Sequence, residues 1–357
     1  MKVLIVGAGP TGLTTGLEFA RQGIKADIVD AKSEPSLMSR AVGILPHSLD
    51  ILNKTGVSDR ILEEGVKFKH VHIERDGVPL IDLDVSKILK EKNFLIGLPQ
   101  DRTEALMSEK LHEMGVFVQY GRKVTEIETT DDNASVTFAD GTTATYDWII
   151  GADGVLSTVR KKLDIPYDGY ELSEDWSIAD VELHSGYDPT TIRAWLLPNN
   201  RLERDALVMV PIAENRVRLV SSTPDSLAAI PIKLDVKDVR RSGMFKISVR
   251  QARQYVKDCV VLAGDAAHAH SPVGGRGMNL GIDDAEKVVD AILRNTLDTY
   301  ERERKKKAQD VINATERARK ILVSNNPFTY VLLRITTWCV QHVGFLQKKF
   351  ARGVTRL

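Results

Sequence analysis

Residues 258–285 read DCVVLAGDAAHAHSPVGGRGMNLGIDDA and join an apolar run to a glycine-rich loop and a helical pattern. The apolar run 259–263 predicts a buried strand. Its end at Gly264-Asp265 places one carboxylate where the backbone lets a ligand approach closely. The apolar periodicity that starts at Met278 predicts a helix, whose free N-terminal amides favour negative charge. No Lys-Ser/Thr pair follows the glycines, which argues against a nucleoside triphosphate site.

The bulk properties exclude several classes of protein. At 357 residues the chain is long enough for two domains. It carries 49 Lys+Arg and 49 Asp+Glu, so nothing in its charge indicates a nucleic-acid partner. Cys259 and Cys339 lie far apart, which argues against a disulfide framework and a thiolate metal site, and we expect no metal. The chain starts directly with a strand and has no apolar run of membrane-spanning length, so we expect a cytoplasmic protein without an integral membrane segment.

A second glycine-rich pattern stands at the start of the chain. A short strand over 3–6 leads into Gly-x-Gly-x-x-Gly, a helix, and a second strand that ends in an acid. The glycines allow a pyrophosphate to approach the helix N-terminus, and the acid binds ribose hydroxyls. In this context the pattern predicts FAD or NAD rather than NADP. The candidate residues are Gly7, Gly9, Pro10, Thr11, Gly12 and Asp30.

Three motifs in order, Gly7 to Gly12, Asp153-Gly154 and Gly264-Asp265, resemble those of the FAD-dependent aromatic hydroxylases. These are the p-hydroxybenzoate hydroxylase-like, group A flavoprotein monooxygenases. The resemblance implies an α/β fold with a Rossmann-like FAD-binding domain of three layers, a parallel sheet plus a β-meander. A smaller mixed β-sheet substrate domain and C-terminal helices complete it. The implied segments are 1–69, 98–165 and 244–300 for FAD, 70–97 and 166–243 for the substrate, and 301–357 for the helices.

The resemblance also implies roles for single residues. Asp265 would bind the ribityl hydroxyls, and Asp153-Gly154 would border the pyrophosphate, although Asp153 also suits a helix cap. Gln100 would lie against the ribityl chain, or it is simply a polar residue at a helix start. Arg40 would lie over the flavin, or it is a surface salt-bridging residue. The residues that would face the isoalloxazine are Gly275, Gly277, Met278 and Asn279.

The implied activity is hydroxylation of an electron-rich aromatic ring, phenol-like or polyketide-like. NADH or NADPH would reduce the flavin as a transient co-substrate, because only one nucleotide fingerprint occurs. Dioxygen would then form a flavin C4a-hydroperoxide. The residues assigned to this chemistry are Arg40, Pro272 and Gly275, and no side-chain base is required. We expect a monomer or a homodimer.

Two other functions use the same motifs. A flavin-dependent reductase or dehydrogenase of the isoprenoid-saturating type would transfer electrons without oxygenating a substrate. A non-catalytic flavin-bearing protein would bind a ligand or sense redox state. A halogenase is disfavoured, because the chain has no Trp-x-Trp-x-Ile-Pro run. After Pro224 the chain is shorter than the family pattern, which would leave the substrate pocket more open.

Several local predictions concern the remaining segments. Residues 70–85 predict a β-hairpin that turns at Asp76-Gly77, and 116–150 predict a β-meander whose last strand runs from 142 to 150. The charge run 301–307 predicts a solvated helix face. The last helix carries an apolar stripe that we expect to pack against the body of the protein, with a membrane or a partner as the alternative. That stripe comprises Phe328, Val331, Leu332, Ile335, Trp338 and Cys339.

Overall fold

The computed structural model of the protein describes residues 1–35, 41–88, 95–185, 187–199 and 203–355, so Arg40 lies outside the described residues. The strands, in chain order, are β1 (Val3–Val6), β2 (Asp27–Asp30), β3 (Gly43–Ile44), β4 (Val66–Lys67), β5 (His70–Arg75), β6 (Val78–Asp84), β7 (Ile96–Gly97), β8 (Val118–Tyr120), β9 (Val124–Thr129), β10 (Ala134–Phe138), β11 (Thr143–Tyr146), β12 (Trp148–Gly151), β13 (Tyr167–Glu171), β14 (Trp176–Leu183), β15 (Thr191–Leu197), β16 (Asp205–Ala213), β17 (Arg216–Ser221), β18 (Val236–Phe245), β19 (Ser248–Ala252), β20 (Val256–Lys257), β21 (Val260–Leu262) and β22 (His268–Ala269). The helices are α1 (Pro10–Arg21), α2 (Pro46–Asn53), α3 (Ser58–Glu64), α4 (Gln100–Glu113), α5 (Thr158–Lys162), α6 (Gly277–Arg294), α7 (Leu297–Leu322), α8 (Pro327–His342) and α9 (Gly344–Thr355), with 3₁₀ turns at Val85–Lys87 and Gly264–Ala266.

A six-stranded sheet in the order β20-β21-β12-β1-β2-β8 carries the glycine motifs. All its strand pairs are parallel except β20–β21. β1 and β21 are buried throughout, as expected of parallel strands that are covered on both faces. α1 packs against both α4 and α6. The α/β fold with a parallel sheet is therefore confirmed.

The meander consists of β9, β10 and β11 in antiparallel pairing. The predicted strand from 142 to 150 is wrong as a single element, because β11 belongs to the meander and β12 to the parallel sheet. Asp147 separates them, accepting the backbone N–H of Lys2 at 2.6 Å and donating its own N–H to the Lys2 carbonyl at 2.9 Å. β8 also leaves the meander and pairs in parallel with β2. Both β8 and β12 pair with strands that are distant in sequence. Local hydrophobic periodicity does not predict such pairing.

A seven-stranded sheet in the order β18-β14-β17-β16-β15-β5-β6 forms the second layer, with β15–β5 as its parallel pair. The predicted hairpin is confirmed as β5–β6, and its turn uses Asp76 and Gly77 at φ +53° and +73°. One face of the sheet buries an apolar cluster that includes Trp195 and Met209 beneath the segment 227–236. The other face carries Arg218, whose guanidinium donates to the carbonyl of Ala41, just before β3, at 2.9 Å.

The C-terminal helices α8 and α9 lie along β6 at the edge of this sheet. Gln341 bonds the backbone of β6 on both sides, donating to the Leu80 carbonyl at 3.1 Å and accepting from the Asp82 N–H at 3.2 Å. Leu333 packs against Leu80. The predicted apolar stripe, however, points away from the protein, so the expectation that it packs against the body is wrong. Its exposed members are Phe328, Val331, Leu332, Ile335 and Trp338.

Candidate flavin-binding site

The first glycine turn contains glycines of two kinds. Gly7 has φ +107°, and a Cβ added there would lie 2.4 Å from the Ala152 carbonyl oxygen. A Cβ on Gly12 would lie 1.9 Å from the Gly7 oxygen. Gly9 differs, because its φ is −79° and an added Cβ would meet nothing within 4 Å. The packing of the described chain thus requires Gly7 and Gly12 but not Gly9. The open space in front of α1 fits a pyrophosphate at the helix N-terminus.

Asp30 ends β2 beside this turn, as the motif predicts. Its carboxylate accepts the backbone N–H groups of Ala8 at 2.8 Å and Lys32 at 2.9 Å. Glu104 lies close by and was not singled out from the sequence. Burial raises the pKa of Glu104 to about 7. Because Glu104 is buried near Asp30, its carboxyl resists ionisation. The electrostatic potential beside Asp30 therefore depends on Glu104 as well.

Gln100 stands at the first turn of α4, where both ends of its amide bond protein groups. Its Nε2 donates to Glu104 Oε1 at 2.7 Å, and its Oε1 accepts the Ala41 N–H at 3.3 Å. These contacts connect α4 to the segment that precedes β3. Any bond from Gln100 to a ribityl chain would have to be added to them.

Asp153 caps α5, which is the alternative that the sequence left open. Its carboxylate accepts the Ser157 hydroxyl at 2.5 Å and the N–H groups of Thr158 and Val159 at 2.6 and 3.1 Å. Burial raises its pKa, and these bonds oppose that effect. Gly154 follows at φ +77°. The motif still borders the first turn, because the preceding carbonyl of Ala152 is the group that excludes a side chain at position 7.

Thr11 joins the first and third motifs. A Cβ on Gly264 would lie 2.4 Å from Thr11 Oγ1, and one on Gly281 would lie 2.2 Å from the same atom. The start of α1, the 3₁₀ turn at Gly264 and α6 are therefore closely packed against one another. Asp265 is exposed beside them, and its carboxylate has no hydrogen bond to any described residue. It remains available to a ligand.

The loop before α6 is open to solvent. Pro272 and Gly275 are exposed, and the Gly275 N–H donates to the Pro272 carbonyl at 2.9 Å. Gly275 has φ +60° and nothing within 4 Å of an added Cβ. For Gly277 the nearest atom is His270 Nε2 at 3.9 Å. Space for a ligand therefore exists at the start of α6, as it does at Gly9.

Met278 and Asn279 do not present their side chains to this space. Met278 is buried in the main apolar core. Asn279 accepts the Leu45 N–H at 2.8 Å and donates to the carbonyls of Gly43 and Gly275, both at 2.9 Å. Contact between these two positions and a flavin would therefore be through their backbone amides. The Asn279 side chain holds the loop against β3.

His270 is a site residue to which the sequence assigned no role. Its Nδ1 donates to the Ser271 carbonyl at 2.8 Å, since a carbonyl can only accept. Its Nε2 is buried and has no hydrogen-bond partner among the described residues. Burial lowers the pKa of His270, so the ring is neutral at pH 7 and Nε2 carries a lone pair. This acceptor lies beside the N-terminus of α6.

A buried charge network holds the backbone of the 3₁₀ turn at Gly264. Asp284 accepts the Gly264 N–H at 2.9 Å and Arg304 Nε at 2.6 Å, and it lies 2.6 Å from His268 Nε2. Burial opposes its ionisation, yet the charge of Arg304 and the hydrogen bonds to Asp284 hold the pKa of Asp284 below its usual value. The prediction of a solvated 301–307 face is wrong at Arg304, which is 6% exposed. His47 Nε2 lies 3.0 Å from Asp283 Oδ1 in the same network.

A second buried network joins the seven-stranded sheet to the segment before β3, and the sequence did not reveal it. Arg218 is fully buried and bonds Asp180 through two nitrogens at 2.7 and 2.9 Å. Arg241 reaches the same carboxylate at 2.6 Å. The bond from Arg218 to Ala41 then ties this cluster to the chain just after position 40. Alternating strand patterns show which positions are buried but not that a buried cation has its partner on the neighbouring strand, 38 residues away in sequence.

Four large aromatic and apolar side chains of the segment 166–224 lie in different places in the structure. Trp195 and Met209 belong to the apolar core on the far face of the sheet, and Tyr170 bonds Glu316 at 2.7 Å. Trp176 lines a cavity of 370 Å³ between the sheet and α7, together with Arg204 and Arg319. None of the motif residues lines this cavity. No group of three or more His, Cys, Asp or Glu side chains in the described ranges could hold a metal ion.

Comparison with known proteins shows a matching family, similar sequences and solved structures of similar fold. A family described as "FAD binding domain" matches residues 1–315. Rifampicin monooxygenase from Rhodococcus hoagii is 31% identical over 352 residues, which cover 90% of this chain and 71% of that protein. The anhydrotetracycline hydroxylase structure from Streptomyces rimosus has a TM-score of 0.79 at 28% identity, covering 99% of this chain and 76% of that one. For the p-nitrophenol 4-monooxygenase structure from Pseudomonas putida DLL-E4 the TM-score is 0.86 at 22% identity, with coverage of 99% and 98%.

Proposed function

The chain belongs to the FAD-binding family of flavin-dependent aromatic monooxygenases, and from this premise we propose that it uses NADH or NADPH and dioxygen to hydroxylate an aromatic small molecule. One observation carries the proposal. Gly9 and Gly277 adopt ordinary backbone conformations, yet each leaves open space at a helix N-terminus. The two helix starts lie close together, because Thr11 at the start of α1 packs against both Gly264 and Gly281. A ligand that spans the two helix starts would fill this space.

The residues present fit FAD in that position. The amides at the start of α1, beside Gly9, would bind the pyrophosphate, and the free Asp265 carboxylate would accept the ribityl hydroxyls. The amides at the start of α6 would stabilise negative charge on the pyrimidine edge of the flavin. Bound FAD would supply the redox chemistry, accepting a hydride from the nicotinamide and passing the electrons to dioxygen. The protein binds, orients and shields the reactants.

The face of the seven-stranded sheet that carries Arg218 is suited to an apolar ring. Val220 lies two residues after Arg218 on β17, so both side chains share the face that contacts Ala41. A row of directly paired residues continues across five strands from this position. It consists of Ile178, Val220, Val208, Ala194 and Ile73. We assign this apolar row to substrate binding.

Stopped-flow spectroscopy of the FAD-loaded protein tests the proposal. The flavin is reduced anaerobically with NADH or NADPH and then mixed with dioxygen in the presence of phenols and polyketide-like aromatics. We expect one class of compound to stimulate nicotinamide consumption and to yield a product heavier by one oxygen atom. A G9A variant, which carries a methyl group in the pyrophosphate space, serves as the control that should bind FAD more weakly.

Two other results would replace the proposal. Flavin reduction that is coupled to saturation of an alkene, without an oxygenated product, would establish a reductase of the isoprenoid-saturating type. Failure of both nicotinamides to reduce the bound flavin with every ligand would favour a non-catalytic flavin-bearing protein. The G9A control separates these results from a simple failure to load the cofactor.

A further inference from the structure

The last two helices present an apolar surface that no described part of the chain covers. On α8 the stripe Phe328, Val331, Leu332, Ile335 and Trp338 follows helical spacing, and its members are 55 to 79% exposed. The opposite side of α8 packs against the protein, since Leu333 and Thr337 are buried there. Contiguous exposed apolar patches of this kind mark interaction sites.

α9, which packs against α8, adds positive charge to this segment. Phe345, Lys348, Lys349 and Arg352 are all exposed, and their spacing puts them on one side of the helix. From 327 to 355 the sequence contains no Asp or Glu, although the whole chain has as many acidic as basic residues. The segment therefore combines an apolar stripe with cations that no acidic residue of the segment itself balances. Arg334 on α8 adds another.

Geometry restricts how such a segment could meet a lipid bilayer. The 16 residues of α8 extend over roughly 24 Å, which is less than the hydrocarbon thickness of about 30 Å. No helix in the described part of the chain is long and apolar enough to cross a membrane. An amphipathic helix of this composition lies in the plane of the interface, with its apolar side below the headgroups.

We propose that the α8–α9 hairpin is the surface by which this protein binds an anionic lipid membrane. The apolar stripe of α8 inserts below the headgroups, and the cations of α9 contact lipid phosphates. Trp338 stacks on His342 at 4.6 Å and lies at the end of the stripe, a position that suits the preference of indole for the interface. A second copy of the chain is a poorer occupant, because a two-fold contact would bring like charges together without any acidic partner.

Vesicle co-sedimentation of the full chain tests this proposal independently of any flavin chemistry. We expect binding to vesicles of phosphatidylcholine mixed with phosphatidylglycerol, and at least about tenfold weaker binding to phosphatidylcholine alone. Added salt should weaken the binding. Trp fluorescence should shift to the blue as Trp338 leaves water.

Two variants and a matched control identify the surface. I335S with W338S should abolish binding, and K348E with K349E should weaken it about tenfold or more. M244S removes an equally exposed apolar side chain on β18 and should change nothing. Circular dichroism confirms that each variant is folded. Equal binding to both kinds of vesicle, or binding to neither, would overturn the proposal. So would a dimer in light scattering that I335S with W338S dissociates, which would assign the surface to a second copy.

Discussion

The two helix N-termini that define the candidate flavin site are built differently. At α1 the turn is enclosed by the protein, because the Ala152 carbonyl and the Gly7 oxygen leave no room for side chains at positions 7 and 12. At α6 the loop is exposed to solvent, and the Gly275 N–H donates to the Pro272 carbonyl to form its turn. A closed turn suits the part of a cofactor that stays bound. In the proposed function, an exposed loop suits the part of the cofactor that a nicotinamide, dioxygen and a substrate would have to reach.

The largest expected effect belongs to the closed turn. G12A would place a methyl group 1.9 Å from a backbone oxygen that cannot move aside. We expect the free energy of unfolding to fall by roughly 3 kcal/mol or more. Urea denaturation measures this change. A G12A protein of unaltered stability would show that the turn is looser than the structure has it.

Gly9 separates cofactor binding from folding within the same turn. Because an added methyl group would meet open space at φ −79°, G9A should keep its stability to within about 0.5 kcal/mol. The FAD dissociation constant should rise roughly ten- to a hundredfold. Fluorescence titration of the apoprotein with FAD measures it. G344A, at another glycine with open surroundings, is the control that should bind FAD normally.

The open loop is tested through His270. H270F removes the free Nε2 acceptor and keeps a planar ring. We expect the midpoint potential of the bound flavin to shift by roughly 30 mV, equivalent to a tenfold change in the relative affinity for the two redox states. Spectroelectrochemistry provides the value. H270N offers a hydrogen-bonding amide and should recover part of the shift, whereas an unchanged potential in H270F would place the flavin away from this ring.

The smallest expected effect concerns Glu104 at the closed end. Because burial raises its pKa to about 7, the folded state prefers the protonated acid. Stability from this group is fully present below the unfolded pKa near 4.5 and is lost as the pH rises toward 7. E104Q should therefore stabilise the protein by about 1 kcal/mol at pH 8 and hardly at all at pH 4. Urea denaturation at both values checks the sign, and an equal effect at both would contradict it.

Much of the fold and the locations of its motifs could be predicted because they depend on local chemistry. A strand, a glycine turn and a helix within a few residues predict the Asp30 and Asp265 positions without knowledge of distant partners. The same local rules predict the hairpin at Asp76-Gly77. They failed for the strand from 142 to 150, because Asp147 bonds Lys2, a residue at the other end of the domain in sequence.

The sequence alone determined that the chain has three flavin motifs in order and helices that start at two of them, since backbone conformation and turn residues are local properties. Only the tertiary structure decided which glycines serve the protein and which leave space for a ligand. It also decided that Arg304 is buried and that the α8 stripe faces outward. These outcomes depend on what packs beside each residue. Hydrophobic periodicity shows that a helix has an apolar side, but what covers that side is decided by contacts between segments far apart in the chain.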